Sequence, residues 1–272
     1  MSETPASPPN LSPRLLAAGD GALIVELGEG IAPALNAAVH RLDRRIADAG
    51  LPGVVETVPT YRSVLVVFDP ARTDPDPLGR ALLALADGLA QPSAEPQRRW
   101  IVPVCFGGVH GEDLDDVARR SGLTSGEVVA LHCAADYRVY MLGFSPGFAY
   151  LGGLPEALHQ PRRENPRMAT PAGSVMQGGA QAAISPIAMP SGWHLLGRTP
   201  VKTFDLRRPS PFLLAPGDRI RFAAVSVAEY DRLAACDGLL PDSETVVDDI
   251  GPTGGPTGGL ASSNPTSLGA AA

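Results

Sequence analysis

The sequence predicts an α+β protein in two parts, a small α/β domain followed by a barrel or sandwich of short strands. Three observations point there. Two stretches in the first ninety residues repeat apolar residues with helical spacing, and each lies between short β-branched runs. After Tyr137 that periodicity vanishes, and Gly, Pro, Ser and short apolar runs dominate as far as Phe222, the signature of many short strands and turns. The length, 272 residues, suits two modest domains or one large one.

Residues 1–13, rich in Pro and Ser, predict a disordered start. Ala22-Leu-Ile-Val-Glu-Leu27 reads as a strand. Leu35, Val39, Leu42 and Ile46 fall at intervals of 4, 3 and 4 and lay one apolar stripe along a helix. Gly50 and Pro52 supply its stop, because Gly accepts the left-handed cap and Pro cannot continue the helix. Val54–Val58 and Val64–Phe68 form a strand pair with a turn around Pro59 to Ser63. Leu78, Leu82, Leu85 and Leu89 mark a second helix. Trp100–Phe106 is another strand, and Pro103 favours an edge position for it because Pro donates no ladder bond.

The order strand–helix–strand–strand–helix–strand is that of a ferredoxin-like split unit. The small domain is therefore set at 14–97, with its boundary in the charged, Pro-rich stretch Gln91 to Arg99, where the last strand is open to sharing with the next domain. The barrel domain is set at 98–240. Within it, Asp113 to Arg120 predicts a short helix ended by Gly122, and Thr124-Ser-Gly-Glu127 has the spacing of a capping box. The helix that this cap starts delivers Leu131 and His132. Pro216-Gly-Asp218 turns into the strand Arg219–Phe222. Residues 241–272 read as a Gly/Pro/Ser-rich tail, too poor in apolar groups to offset its ordering entropy.

Composition narrows the function. The formal charge of −7 opposes a nucleic-acid partner, which needs clustered positive charge. Three cysteines without a pairing pattern suit a reducing compartment. The first residues show neither a basic n-region nor an apolar h-region, and no apolar run reaches the ~18 residues of a membrane span. A soluble, cytoplasmic protein with no membrane partner is expected.

Gly143-Phe-Ser-Pro-Gly147 carries the letters G-x-S-x-G of a hydrolase elbow. That elbow uses the backbone N–H after the serine, and Pro146 has none, so a tight turn lining a pocket is the expectation. The five histidines show neither an i, i+4 pair on a helix nor a Cys-x-x-Cys companion, so no metal site is expected. His132 is open to two readings: a histidine bonded near a helix C-terminus, or a ligand or proton-transfer group. No phosphate loop is present, so any nucleotide in the reaction has no such site in this chain. The stretch Arg162 to Arg198 is denser in chemistry. Pro161-Arg-Arg-Glu-Asn-Pro-Arg167 holds three arginines in a segment that two prolines stiffen, and the glycines Gly178 and Gly179 allow a backbone to turn its N–H groups to an anion or simply to make tight turns. Arg198 is a further candidate for a bidentate grip on a carboxylate or phosphate.

From Trp100 to Phe222 the chain resembles the family of 5-oxoprolinase B subunits, also known as allophanate hydrolase subunit 1 or carboxyltransferase subdomain C. The shared words are Leu131-His132, Tyr137-Arg-Val-Tyr-Met-Leu-Gly-Phe144, Pro146-Gly-Phe148, Tyr150-Leu-Gly-Gly-Leu154, Pro161-Arg162, Pro166-Arg167, Pro171-Ala-Gly-Ser-Val175, Gly192-Trp193, Leu196-Gly-Arg-Thr199 and Pro216-Gly-Asp-Arg219. The first ninety residues match more loosely, through Gly19-Asp20, Gly53-Val-Val-Glu56, Tyr61-Arg-Ser63 and Asp69-Pro70. The resemblance implies a cyclophilin-like β-barrel behind the small domain. It also implies an enzyme complex in which a B subunit works with separate C and A subunits to open 5-oxo-L-proline to L-glutamate with ATP. One branch of the family resembles an inhibitor of a sensor histidine kinase, and the allophanate name offers a subunit acting on urea-derived carboxylates. Where relatives read Gly-Gly-Gln-Thr-Gly-Ile-Tyr-Pro, this chain has Gly179-Ala-Gln-Ala-Ala-Ile-Ser-Pro186, which keeps Gln181 and loses a threonine hydroxyl at Ala182 and a phenol at Ser185. Residue chemistry and family position together give the expected roles. Arg162, Arg167 and Arg198 hold anionic groups, Gln181 with the Gly178-Gly179 backbone orients the carbonyl, and His132 or Tyr137 moves protons.

Overall fold

In the computed structural model, which describes residues 11–89 and 96–247, alternation along two strands builds the first core. Leu23 and Val25 of β2 (Ala22–Glu26) and Val64, Val66 and Phe68 of β4 (Ser63–Phe68) turn one face towards α1 (Pro33–Ala49) and α2 (Pro75–Leu85). The predicted stripes meet them there: Leu35, Val39, Leu42 and Ile46 from α1, and Leu78 and Leu82 from α2. Pro33 starts α1 where no donor is missed, and Gly50 ends it in the left-handed conformation at φ 54°. With β1 (Arg14–Ala17) and β3 (Val54–Pro59), the antiparallel sheet runs β1-β2-β4-β3. Since β4 lies between β2 and β3, the split β–α–β unit is present. Its remaining edge, beside β2, is taken by β1, a strand that the sequence pattern did not mark. Arg14 Nε donates to Glu26 Oε1 at 2.6 Å across that pair.

The sixth element, β5 (Pro96–Phe106), leaves for the second domain, because Trp100, Val102 and Val104 alternate into the other core. The strands of that domain are β6 (Tyr137–Leu142), β7 (Ala149–Gly152), β9 (Ser174–Gly178), β10 (Gln181–Ile184), β12 (His194–Arg198) and β13 (Arg219–Ala224). With β5 they close a barrel in the order β12-β9-β10-β7-β6-β13-β5, and β5 pairs back to β12. The barrel expected from the family resemblance is therefore present. Between its strands, β8 (Arg167–Thr170) and β11 (Met189–Ser191) form a separate two-stranded ribbon. Helices α3 (Leu114–Ser121) and α4 (Ser125–Ala134) pack on the barrel, and both sides of the predicted capping box form at Thr124 and Glu127. A last helix, α5 (Val227–Ala234), packs beside β5.

Two expectations are corrected here. Residues 242–247, assigned to the tail, form β14 (Asp242–Val247), which pairs antiparallel with β5 along its exposed side. Its polar residues carry no alternation to announce a strand, and the unpaired edge of β5 supplies the reason for one. The rest of the tail and residues 1–10 lie outside the described residues, while Leu11, within the expected disordered start, packs against the first core. Pro103 does not mark an edge strand. Val225 N donates to Val104 O at 2.9 Å on the β13 side, so Pro103, one residue earlier, faces the opposite side. There β14 reaches only to Ile101 and β12 begins at Cys105, and the missing N–H interrupts no ladder.

Two buried polar residues of α1 dock the domains. Asn36 Nδ2 donates to Tyr140 O and to Thr60 O, each at 3.1 Å, and His40 Nε2 lies 2.9 Å from Tyr140 O and 3.0 Å from Asn36 Oδ1. Both of its partners only accept, which places the His40 proton on Nε2.

Candidate functional site

The second hairpin of the barrel ends in Gly178, Gly179, Ala180 and Gln181, with Gly179 at φ 64° as the first residue of a two-residue turn. Along β9, Val175 and Gln177 point into the barrel, so Met176 and Gly178 face outwards. On that outer wall Met176, Ala183, Phe148, Met189, Trp193 and Leu195 form a second small core. Gly178 lies under Trp193 and Arg162: a Cβ there would come within 3.0 Å of the indole and 3.2 Å of Arg162 Cγ. Only glycine leaves both side chains where they are.

Above this floor is an open cavity of about 260 Å³ whose walls include Phe144, Phe148, Tyr150, Arg162, Met189 and Trp193. Its aromatic rings meet edge to face, Phe148 on Tyr150 at 4.8 Å and Tyr150 on Trp193 at 6.2 Å between centroids. Arg162 Cζ sits 5.3 Å from the Trp193 ring centroid. Among the described residues its guanidinium has no carboxylate partner. Burial pushes the Tyr150 phenol up and the Arg162 charge opposes it, so Tyr150 stays a neutral donor. Phe144 stands 73% exposed at the mouth with φ 68°, a left-handed conformation that strains a bulky residue. It belongs to the Gly143–Gly147 segment, which is a tight turn lining a pocket, as expected: Ser145 N donates to Gly143 O at 2.8 Å and Phe148 N to Ser145 O at 3.0 Å. The Ser145 hydroxyl is itself buried away from the cavity walls.

The residues predicted from sequence divide among separate places. Arg162 lines this pocket, Gly178 lies beneath its Trp193 and Arg162, and Gln181, paired with Gly178 across the hairpin, stands beside it outside the lining. Arg167 does not join them: its guanidinium grips Asp113 in a fork, Nη1 to Oδ2 at 2.8 Å and Nη2 to Oδ1 at 2.7 Å. Arg163 Nη1 joins at 2.9 Å and Leu195 N donates to Oδ2 at 2.8 Å, so the expected anion holder is spent on an internal carboxylate. Burial alone would raise Asp113, but the hydrogen bond and charge of Arg167, with Leu195 N and Arg163, outweigh it and hold the carboxyl below its usual range. Arg198 is also elsewhere. It pairs in register with Ser174, the far end of β9 from Gly178, about 13 Å away at ~3.3 Å per residue, and its Nε donates to Ala172 O at 2.8 Å. The N–H of Gly179 already donates to Gln160 O at 2.7 Å, so it is not turned to an anion.

His132 and Tyr137 come together, but inside the barrel, each 0% exposed. Tyr137 Oη is 2.7 Å from His132 Nδ1, His132 Nε2 is 3.0 Å from Gln177 Oε1, and Gln177 Nε2 donates to Leu158 O at 2.7 Å. Every donor in that chain has an acceptor when His132 carries its proton on Nε2. Burial lowers His132 to about 4 against the weaker opposing effect of Gln177, so the imidazole is neutral. The barrel wall separates this network from the outer pocket, and the bond-satisfied structural reading of His132 describes it. Sequence reasoning missed Tyr150 and Trp193 as site residues, although Phe144, Phe148 and Tyr150 crowd within seven positions of a chain that is only 5% aromatic. Among the described residues, no cluster of three His, Cys, Asp or Glu side chains could hold a metal, and no helix is long and apolar enough to cross a membrane.

Residues 13–214 match the family described as carboxyltransferase domain, subdomain C and D. The chain is 42% identical over 206 residues to the 5-oxoprolinase B subunit of Escherichia coli O157:H7, covering 75% of this chain and 92% of that one. It is 36% identical over 230 residues to the 5-oxoprolinase B subunit of Bacillus subtilis (strain 168), covering 78% and 92%. The crystal structure of TTHA0988 superposes with a TM-score of 0.67 at 38% identity over 75% of this chain, which spans 40% of that longer chain. The Kluyveromyces lactis urea carboxylase shares the fold, at a TM-score of 0.71 and 22% identity over 87% of this chain and 24% of its own. With a family match across most of its length and close relatives covered almost end to end, the chain belongs to the carboxyltransferase subdomain C and D family, together with the bacterial 5-oxoprolinase B subunits.

Proposed function

We propose that this chain is the non-fused B subunit of an ATP-hydrolysing 5-oxoprolinase, which opens 5-oxo-L-proline to L-glutamate with separate C and A subunits, and that the outer pocket holds the substrate. The observation that carries the reading is Arg162, a cation without a carboxylate partner among the described residues, poised over Trp193 at the wall of a small aromatic cavity. 5-Oxoproline is a flat ring bearing one carboxylate. Its ring suits the faces of Tyr150, Phe148 and Trp193, and its carboxylate suits the planar fork of a guanidinium.

The pocket is half a site. Opening an unstrained lactam calls for activation of its carbonyl oxygen, and phosphorylation by ATP supplies that. A triphosphate needs several cations, and this cavity offers Arg162 and the rim of Arg163, which Asp113 engages. Among the described residues the cavity is lined by no histidine or carboxylate that could serve as a base, and His132 and Tyr137 are enclosed in the barrel. The ATP site and the base therefore belong to the partner chains in this reading. Exposed apolar side chains support a covering partner near the cavity: Phe144 at 73% and Met168 at 86%.

The test is to co-express the chain with its C- and A-type partners and to follow ADP release on 5-oxoproline, with urea and allophanate as controls. The wild-type complex should respond to 5-oxoproline alone. Arg162→Ala should raise KM for 5-oxoproline at least tenfold, the loss of one charge-assisted hydrogen bond of about 1.5–3 kcal/mol, and Arg162→Lys should restore part of it. Turnover of allophanate in place of 5-oxoproline, or an unchanged KM in Arg162→Ala, would overturn the reading.

A further inference from the structure

The N-terminal domain reaches the back of one wall of the same pocket, through Tyr61 against Tyr150. Its β3–β4 turn is fixed by Thr60 N donating to Ser63 O at 2.8 Å and by Leu27 N donating to Arg62 O at 2.9 Å. Asn36 ties the turn to the barrel by bonding Thr60 O and Tyr140 O together. This rigid support places Tyr61 edge-on against Tyr140 at 5.7 Å and against Tyr150, a pocket wall, at 6.1 Å between centroids. The phenol hydroxyl of Tyr61 accepts a hydrogen bond from Gln181 Nε2, across 120 residues of chain and from the other domain. Arg162 lies close enough to act on the same phenol by its charge.

Accepting that bond leaves Tyr61 its own O–H. If the Gln181 amide is turned the other way, the proton goes to Gln181 and the amide N–H₂ is left instead. In both orientations the pair keeps donor hydrogens beyond the one it spends on itself, and Arg162 acts on the phenol by its charge. Burial, more than any other influence, pushes the Tyr61 phenol above its ordinary value, so it remains protonated and a donor at neutral pH.

We infer that Tyr61, held by Gln181, is a specificity-determining residue of the pocket: it donates to the ring carbonyl of a small cyclic amide whose carboxylate is held by Arg162. The inference rests on the substrate reading above and deepens it. The active surface then spans both domains, which explains why α1 docks to Tyr140 through buried polar bonds and not through apolar contact alone. A site built to bond a carbonyl discriminates strongly against a ligand without one, because its donor is then left unpaired.

Binding separates this inference from the activity. The full chain in complex with its partners is titrated by tryptophan fluorescence with 5-oxoproline, with cyclopentanecarboxylate (same ring size and carboxylate, no carbonyl) and with 2-pyrrolidinone (carbonyl, no carboxylate). Wild type should prefer 5-oxoproline over cyclopentanecarboxylate. Tyr61→Phe should shrink that preference about tenfold, the worth of one hydrogen bond, while the affinity for cyclopentanecarboxylate stays within twofold. Gln181→Leu should act in the same direction. Arg162→Ala, by contrast, should weaken both carboxylates together and leave 2-pyrrolidinone unchanged. An unchanged preference in Tyr61→Phe, an equal loss for all three ligands, or no preference in wild type would overturn the inference. ADP release is read independently, so a complex that binds with the predicted preference but acts on another lactam would sink the activity assignment and leave Tyr61 in place.

Discussion

Acid should loosen the barrel through one residue, His132. Unfolded, it titrates at 6.5, and in the native barrel burial lowers it to about 4. Between these values the unfolded chain takes up a proton that the native chain refuses, so stability is whole above pH 6.5 and falls as the pH drops towards 4. A gap of about 2.5 pH units at ~1.36 kcal/mol each amounts to about 3 kcal/mol lost by pH 4, with a slope near pH 5 of about 1.2 kcal/mol per pH unit. That is a large part of the ~5–15 kcal/mol that holds an ordinary domain. Urea unfolding followed by tryptophan fluorescence reads the correct domain, because both tryptophans, Trp100 and Trp193, lie in it. Carboxylates also titrate in this range, so the comparison is with His132→Gln, whose amide cannot ionise but can still bond Gln177. The variant is expected to be less stable at pH 7 and to lose less between pH 6.5 and 4, so that the two curves converge. Parallel curves would refute the reasoning, since they would mean that His132 binds its proton equally in both states. His40, also lowered to about 4 chiefly by burial, should add a second step of similar size at the domain junction.

Two further outcomes follow from the arginines. Asp113→Ala strips Arg163, Arg167 and Leu195 N of one shared acceptor and should cost about 3 kcal/mol in urea unfolding, the low end for breaking a buried pair because both arginines keep part of their surface in water. Arg198→Ala should leave 5-oxoproline turnover of the assembled complex within threefold, since it stands at the far end of β9 from the pocket; a tenfold loss would put Arg198 in the site after all.

Much of the local structure was legible from neighbours along the chain. The stripes of α1 and α2, the left-handed stop at Gly50, the Thr124–Glu127 cap and the succession of short strands after Tyr137 each depend on residues a few positions apart. The sequence also marked the region of the site, through Arg162, Gly178 and Gln181, and its words pointed to the family. Only the tertiary structure decided which groups are free to act. Arg162 and Arg167 lie five residues apart in one Pro-stiffened segment, yet Asp113, fifty-four residues before Arg167, claims one and leaves the other. His132 and Tyr137 have the right chemistry for proton transfer, but the closing of β5 onto β12 encloses them. Tyr61 reaches the pocket wall at Tyr150 only because α1 presses its turn against the barrel. Periodicity and caps record local backbone preference, which a sequence displays directly. Whether a charged or titratable side chain is spent or available depends on partners brought from far along the chain, and packing alone assigns those.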